Sequence, residues 1–152
     1  YLGRQKSNRF PQQIHLLQMM REVWEYHKEE IQRRNIDVQI LIPSSLKILA
    51  EEGLIHHILL NIFSESLARV EDGKKITIIR DRTSALGLRF EITSPKSQLR
   101  FEQASLELCI TRVLLEQYGY QLIHEENENI WIATLVFDKA AEENYSINKT
   151  CA

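Results

Sequence analysis

Apolar positions between Gly53 and Val70 set out the strongest periodic pattern in the chain. Leu54, Ile55, Ile58, Leu59, Ile62, Phe63 and Leu67 recur at three- and four-residue spacing, which gathers them on one broad helical face. On the flank of that face, Asn61 and Glu65 stand one turn apart on the same side of the helix. A polar pair at the margin of a core-facing stripe is either solvated or aimed into a cleft. Upstream, Ile14, Leu17, Met20, Val23, Trp24, His27 and Ile31 mark a second helical face. It opens after Pro11, a residue suited to a first turn, and stops near Arg34 and Asn35. Met19 and Met20 fit core filling better than a soft groove, and His15 and His27 read as structural or solvated.

Strand patterns fill the intervals. Val38, Ile40 and Ile42 alternate with Asp37, Gln39 and Leu41 and are closed by Pro43, after which Leu46–Leu49 forms a short apolar piece. Asp72-Gly73 is a turn signal. Lys75–Arg80 and Leu86–Ile92 read as two strands joined through 81–85, the second alternating at Leu86, Leu88, Phe90 and Ile92. A third amphipathic helix carries Leu106, Cys109, Ile110, Val113, Leu114 and Tyr118, with Gly119 as its stop. Tyr120–His124 and Ile130–Phe137 make a closing hairpin. The order predicts an α/β (α+β) two-layer sandwich, a mixed β-sheet with about three helices packed on one face. Residues 1–10 read as a linker or arm, 11–139 as the domain and 140–152 as a disordered tail, since few apolar groups follow Lys139.

Composition narrows the function classes. With 152 residues and 43% hydrophobic content, one domain with a sizeable core is expected. The balance of 19 basic against 21 acidic residues leaves a net charge of −2, which argues against a basic nucleic-acid surface. No apolar run reaches the roughly 18 residues that span a bilayer, and the polar start YLGRQKSNRF is no signal peptide. The start without Met suggests a fragment of a longer protein. Cys109 in a helical run and Cys151 near the end do not indicate a disulfide framework, so a reducing, cytoplasmic setting is expected. The glycosylation patterns at Asn144 and Asn148 read as chance.

Other chemistry is absent from the pattern. No Cys-x-x-Cys, P-loop or legible Ser-His-Asp order occurs. His56 and His57 are adjacent, so on a helix they point apart and do not share a metal. The acidic pairs Glu29-Glu30, Glu51-Glu52, Glu125-Glu126 and Glu142-Glu143, and the basic pairs Arg33-Arg34 and Lys74-Lys75, read as solvated surface.

The stretch from about Gln13 to Phe137 resembles the catalytic, ATP-binding (HATPase) domain of sensor histidine kinases, in the GHKL superfamily shared with gyrase, heat-shock chaperones and MutL. QIHLLQMMREVWEYHKEEIQRRNIDVQILIP is similar to that family's first helix and strand, LIHHILLNIFSESLARV to its asparagine box, and ITIIRD with LGLRFEITSP to the strands leading to its adenine-reading turn. SLELCITRVLLEQYGYQL occupies the place of its glycine-rich turn, helix and next strand. The resemblance implies a Bergerat-like fold.

It also implies a site, and here the residues depart from the family. Asn61 matches the first asparagine of the box, but Glu65 stands where the Mg²⁺-holding asparagine would be; a carboxylate remains an oxygen ligand for that ion. The family's Asp-Thr-Gly-Pro-Gly is Ile92-Thr93-Ser94-Pro95-Lys96, and isoleucine cannot accept the adenine hydrogen bond. Ser105-Leu106-Glu107-Leu108 replaces the phosphate-cradling glycines with side chains and adds a negative charge. Phe101 resembles the residue before the family's mobile lid, yet only Glu102 to Ala104 follow it before the next motif. Asn61, Glu65 and Thr93 are therefore expected to be a vestigial pocket, with no cofactor, no metal and no kinase activity. The implied role is a non-catalytic interaction or phosphorelay scaffold module in two-component signalling. Its partner would be a response regulator or another part of its own signalling protein, with Arg100 and Phe101 as contact residues, and homodimerisation would belong to the full-length protein. A divergent ATP-binding domain using Asn61 and Glu65 is the alternative. No nucleic-acid or membrane contact is expected of this domain, which a membrane-anchored sensor would carry as a soluble part.

Overall fold

The structure, a computed structural model, describes residues 10–82, 86–95 and 106–137. In chain order they form β1 (Gln12–His15), α1 (Leu16–Tyr26), α2 (Lys28–Arg33), β2 (Asp37–Leu41), β3 (Lys47–Ala50), α3 (Glu52–Arg69), β4 (Lys75–Arg80), β5 (Gly87–Thr93), α4 (Leu106–Glu116), β6 (Gln121–Glu126) and β7 (Ile130–Val136). Strand alternation builds a mixed five-stranded sheet in the order β2-β4-β5-β7-β6. Its β2–β4 pair is parallel because α3 lies in the crossover between them; the other pairs are antiparallel. Ile76 and Ile78, then Leu88, Phe90 and Ile92, then Trp131, Ala133 and Leu135 project to one face and are buried. They meet Ile55, Ile58, Leu59, Ile62 and Phe63 of α3, all fully buried. Each such side chain contributes roughly 1.5–3 kcal/mol through removal from water. The two-layer α+β architecture is the one expected.

Local differences have physical causes. The region expected to be one helix from Pro11 to Arg34 begins as a strand, because β1 pairs antiparallel with β3 from Gln12↔Ala50 to His15↔Lys47. The same pairing makes the apolar piece after Leu46 a strand. The helix then breaks at His27, whose backbone leaves helical geometry while its ring packs edge-on against Phe63 at 5.3 Å. Asn35 does stop the second piece, in left-handed conformation at φ 56°.

Two expectations about exposure are corrected. Arg34, read from sequence as surface, is buried at its side chain. It donates to the carbonyls of Leu67 (2.8 Å) and Val70 (2.6 Å), capping α3, and pairs with Glu30 and Asp72. On α4, the apolar stripe read as the core face points outward: Leu106, Ile110 and Val113 are 73%, 57% and 55% exposed. Leu108, Thr111, Arg112 and Leu115 face inward instead. The polar members of that inner face are satisfied there. Arg112 Nε donates to the Leu122 carbonyl at 3.2 Å, and Thr111 meets Asn61.

Among the described residues no helix is long and apolar enough to cross a membrane.

Candidate functional site

Spacing alone places Asn61 and Glu65 on one side of α3, and the structure keeps them there, both half-buried. Asn61 Nδ2 lies 3.4 Å from Thr111 Oγ1 of α4 and 3.3 Å from His57 Nε2 one turn back. Glu65 accepts from Arg69 Nε at 3.2 Å. Arg69 is buried in turn and its guanidinium also pairs with Glu126 of β6. The Glu126 side chain is 2% exposed, so its sequence reading as half of a solvated acidic pair is corrected. The register explains the burial. Leu122, His124 and Glu126 alternate onto the face of β6 that carries the core, and Glu126 is the direct cross-strand partner of Trp131.

A charge-balanced cluster results: Glu65 and Arg69 from α3, Arg112 from α4, His124 and Glu126 from β6, with the Trp131 indole closing one side. His124 Nε2 lies 3.3 Å from Glu126 Oε1 and its ring stands edge-on to Trp131 at 5.8 Å. Burial, then the positive fields of Arg69 and Arg112, push the His124 pKa down to about 4, so the imidazole is neutral near pH 7. Burial lowers the Arg112 pKa as well, opposed by Glu116. Sequence reasoning missed Arg69, Thr111, Arg112, His124, Glu126 and Trp131. The period-2 alternation after Leu122 was the signal that could have located the β6 pair.

The neighbouring turn is equally committed. Ile92 is 1% exposed, and the residue opposite it in register, Trp131, is fully buried on the same face. Thr93 ends β5 in an exposed position opposite Ile130. Ser94 then adopts φ 57°, a conformation that favours glycine, and its N–H donates to the Asn129 carbonyl at 2.8 Å. The backbone of a glycine turn thus persists around a serine. Arg100 and Phe101 lie outside the described residues, as does Ser105. Among the described residues no group of three or more His, Cys, Asp or Glu is placed to hold a metal ion.

This geometry has counterparts among solved structures. The catalytic domain of the histidine kinase ThkA, in a nucleotide-free form, superposes with a TM-score of 0.62 at 20% identity, over 83% of this chain and 96% of that one. The cytoplasmic segment of histidine kinase QseC gives 0.64 at 14% identity, over 84% and 78%. The Acinetobacter baumannii histidine kinase AdeS gives 0.63 at 11%, over 82% and 65%. The chain has the fold of a histidine kinase catalytic domain. No protein-family model and no curated protein matches it in sequence. Within this fold, Asn61 and Glu65 of α3 face α4 and an internal arginine. Ile92 of β5 is a core residue opposite the Trp131 indole.

Proposed function

We propose that this is a non-catalytic domain of two-component signalling, which keeps the kinase fold and has turned its nucleotide-handling positions over to internal contacts. The observation carrying the reading is the row Ile92–Trp131–Glu126 across β5, β7 and β6. At the place where the family would seat and read a base, this row supplies an apolar side chain, an indole and an engaged carboxylate. A site built for a hydrogen bond loses strongly when the bonding group is absent. Glu65 gives the same indication: it is held by Arg69, and Arg69 is neutralised again by Glu126.

What remains available is surface. The exposed Leu106, Ile110 and Val113 on α4 form an apolar stripe of the kind that protein partners cover. A response regulator, or another part of the same signalling protein, is the partner this reading assigns. Support comes from ThkA, whose structure in complex with the response regulator TrrA shares the fold at a TM-score of 0.60. The proposed contact also includes Arg100 and Phe101, and partner binding unaffected by Arg100→Ala and Phe101→Ala would count against their inclusion.

The second reading, an ATP-binding domain working through Asn61 and Glu65, draws on a different neighbour. ShkA in complex with AMPPNP has this fold at a TM-score of 0.57 and 19% identity. Calorimetric titration with ATP and Mg²⁺, alongside the melting temperature, separates the two. Binding to the folded state stabilises by RT ln(1 + [L]/Kd). No heat and no melting shift at millimolar ATP are expected. A shift abolished by Asn61→Ala or Glu65→Ala would replace the scaffold reading with the enzymatic one.

A further inference from the structure

The two sides of α4 are chemically distinct. Leu108, Thr111, Arg112 and Leu115 are buried against the domain. Leu106, Ile110, Val113 and Gln117 follow one another at intervals of four, three and four residues, which aligns them in one stripe, and all four are exposed. The last three, with Cys109 and Leu114, line an apolar groove. The Gln117 N–H donates to the Val113 carbonyl at 3.3 Å, so the stripe continues one residue past the end of the helix. A four-three-four spacing is the seam that a second helix packs against in a coiled coil.

The charges beside the stripe indicate what kind of helix that is. Glu107 and Glu116 stand nine residues apart, about two and a half turns, which puts them on opposite margins of the stripe. Glu107 is exposed and Glu116 half-buried. The one cation of the helix, Arg112, is 5% exposed and turned inward to the Leu122 carbonyl. The seam is therefore apolar along its centre and acidic on both edges. A second copy of α4 laid along it in either direction sets carboxylate against carboxylate, and an anionic lipid surface meets the same repulsion.

We propose that the outer stripe of α4 docks a basic amphipathic helix of a protein partner. Apolar side chains at the matching spacing fill the groove, and a Lys or Arg on each flank of the incoming helix meets Glu107 and Glu116. Because α4 is about 16 Å long, three turns of the partner cover it. The proposal rests on the reading of α4 as the contact face of a signalling scaffold, and it specifies the chemistry of the element that this face receives.

The test uses neither nucleotide nor response regulator, so its failure is separate from failure of the scaffold reading, which the ATP titration decides. The probe is a synthetic helical peptide with leucines at four-three-four spacing and lysines on both flanks. Its control carries glutamates in place of the lysines. Each is titrated into the isotope-labelled protein and followed through backbone amide shifts. The lysine peptide should move the amides of Ile110, Val113 and Gln117 and bind about ten-fold more tightly than the control at low salt, the difference shrinking as salt is added. Ile110→Ser should weaken the lysine peptide about ten-fold at an unchanged melting temperature, since the side chain is 57% exposed. Glu107→Lys with Glu116→Lys should reverse the preference between the peptides. Glu107→Lys alone, at an exposed position, should reduce it, and keeps the test readable where a lysine beside Arg112 destabilises the fold. No binding of either peptide, equal binding of both, shifts centred on another element, or a preference unchanged by Glu107→Lys would each overturn the proposal. So would a dimer in sedimentation that Ile110→Ser abolishes.

Discussion

Protonating His124 should cost the domain stability as the pH falls below neutral. The imidazole, 6% exposed, faces Glu126 on its own strand, Arg69 on α3, Arg112 on α4 and the Trp131 indole on β7. Glu65 and Glu116 pair with or lie near those arginines. Its pKa falls from 6.5 in the unfolded chain to about 4 in the fold. A depressed histidine pKa means that the unfolded state takes up the proton first, so stability is full above pH 6.5 and is lost as the pH falls towards 4. At about 1.4 kcal/mol per pH unit, the whole effect is about 3 kcal/mol, of which about 2 is lost by pH 5. That upper part of the window lies mostly above ordinary carboxylate titration and can be read cleanly. Urea unfolding across about pH 7.5 to 5 would be measured for the wild type and for His124→Leu, a change of similar volume that removes the titrating ring. The variant should lose about 2 kcal/mol less than the wild type over that range. Parallel pH profiles for the two proteins would refute the buried, neutral imidazole and the cluster built around it.

Other substitutions probe separate features. Arg34→Met strips the partners from the Leu67 and Val70 carbonyls and should cost about 3 kcal/mol, read as a drop in melting temperature of about 10 °C. A drop within 2 °C would remove Arg34 as the cap of α3. Ser94→Gly relieves a left-handed backbone at a small entropic cost and should stabilise by up to about 1 kcal/mol in chemical denaturation. Destabilisation there would show that the serine side chain has its own role. Arg69→Met leaves Glu126 buried without its cation and should cost about 3–5 kcal/mol, whereas Arg69→Met with Glu126→Leu should recover much of it. Additive losses in that double variant would mean that the two residues are not coupled.

Most of the fold was legible because its elements have strong periods. The alternation at Leu88, Phe90 and Ile92, the three- and four-residue repeat in α3, and turn residues at Asn35, Gly73 and Gly119 are local signals of local structure. What escaped were features decided across the chain. β1 looks helical in isolation, and only its pairing with β3 makes it extended. The α4 stripe of Leu106, Ile110 and Val113 looked like a core face by hydrophobicity. The sheet instead buries Thr111 and Arg112, whose hydrogen-bonding needs are met by Asn61 and the Leu122 carbonyl. Pairs such as Arg33-Arg34 and Glu125-Glu126 read as surface because sequence does not show which member a cap or a strand face will turn inward. For the candidate site, Asn61 and Glu65 were visible as a helical pair. The arginine and tryptophan that occupy their surroundings came from other elements and were not.

The Arg34 knot also bears on how this chain can fold. Arg34 stands just ahead of β2, and its side-chain partner Asp72 stands just ahead of β4, 38 residues later. Its own carbonyl accepts the Gly73 N–H at 3.0 Å, and the Asp37 N–H reaches the Lys74 carbonyl at 2.9 Å. Closing a loop of that length costs about 3 kcal/mol of chain entropy before any strand pairing repays it. One arginine therefore clasps both ends of the β2–α3–β4 crossover at the point where the parallel strands begin. The strands can then zip from a fixed origin, with Val38 meeting Ile76 and Ile40 meeting Ile78 rather than slipping by one residue and turning their apolar side chains to water.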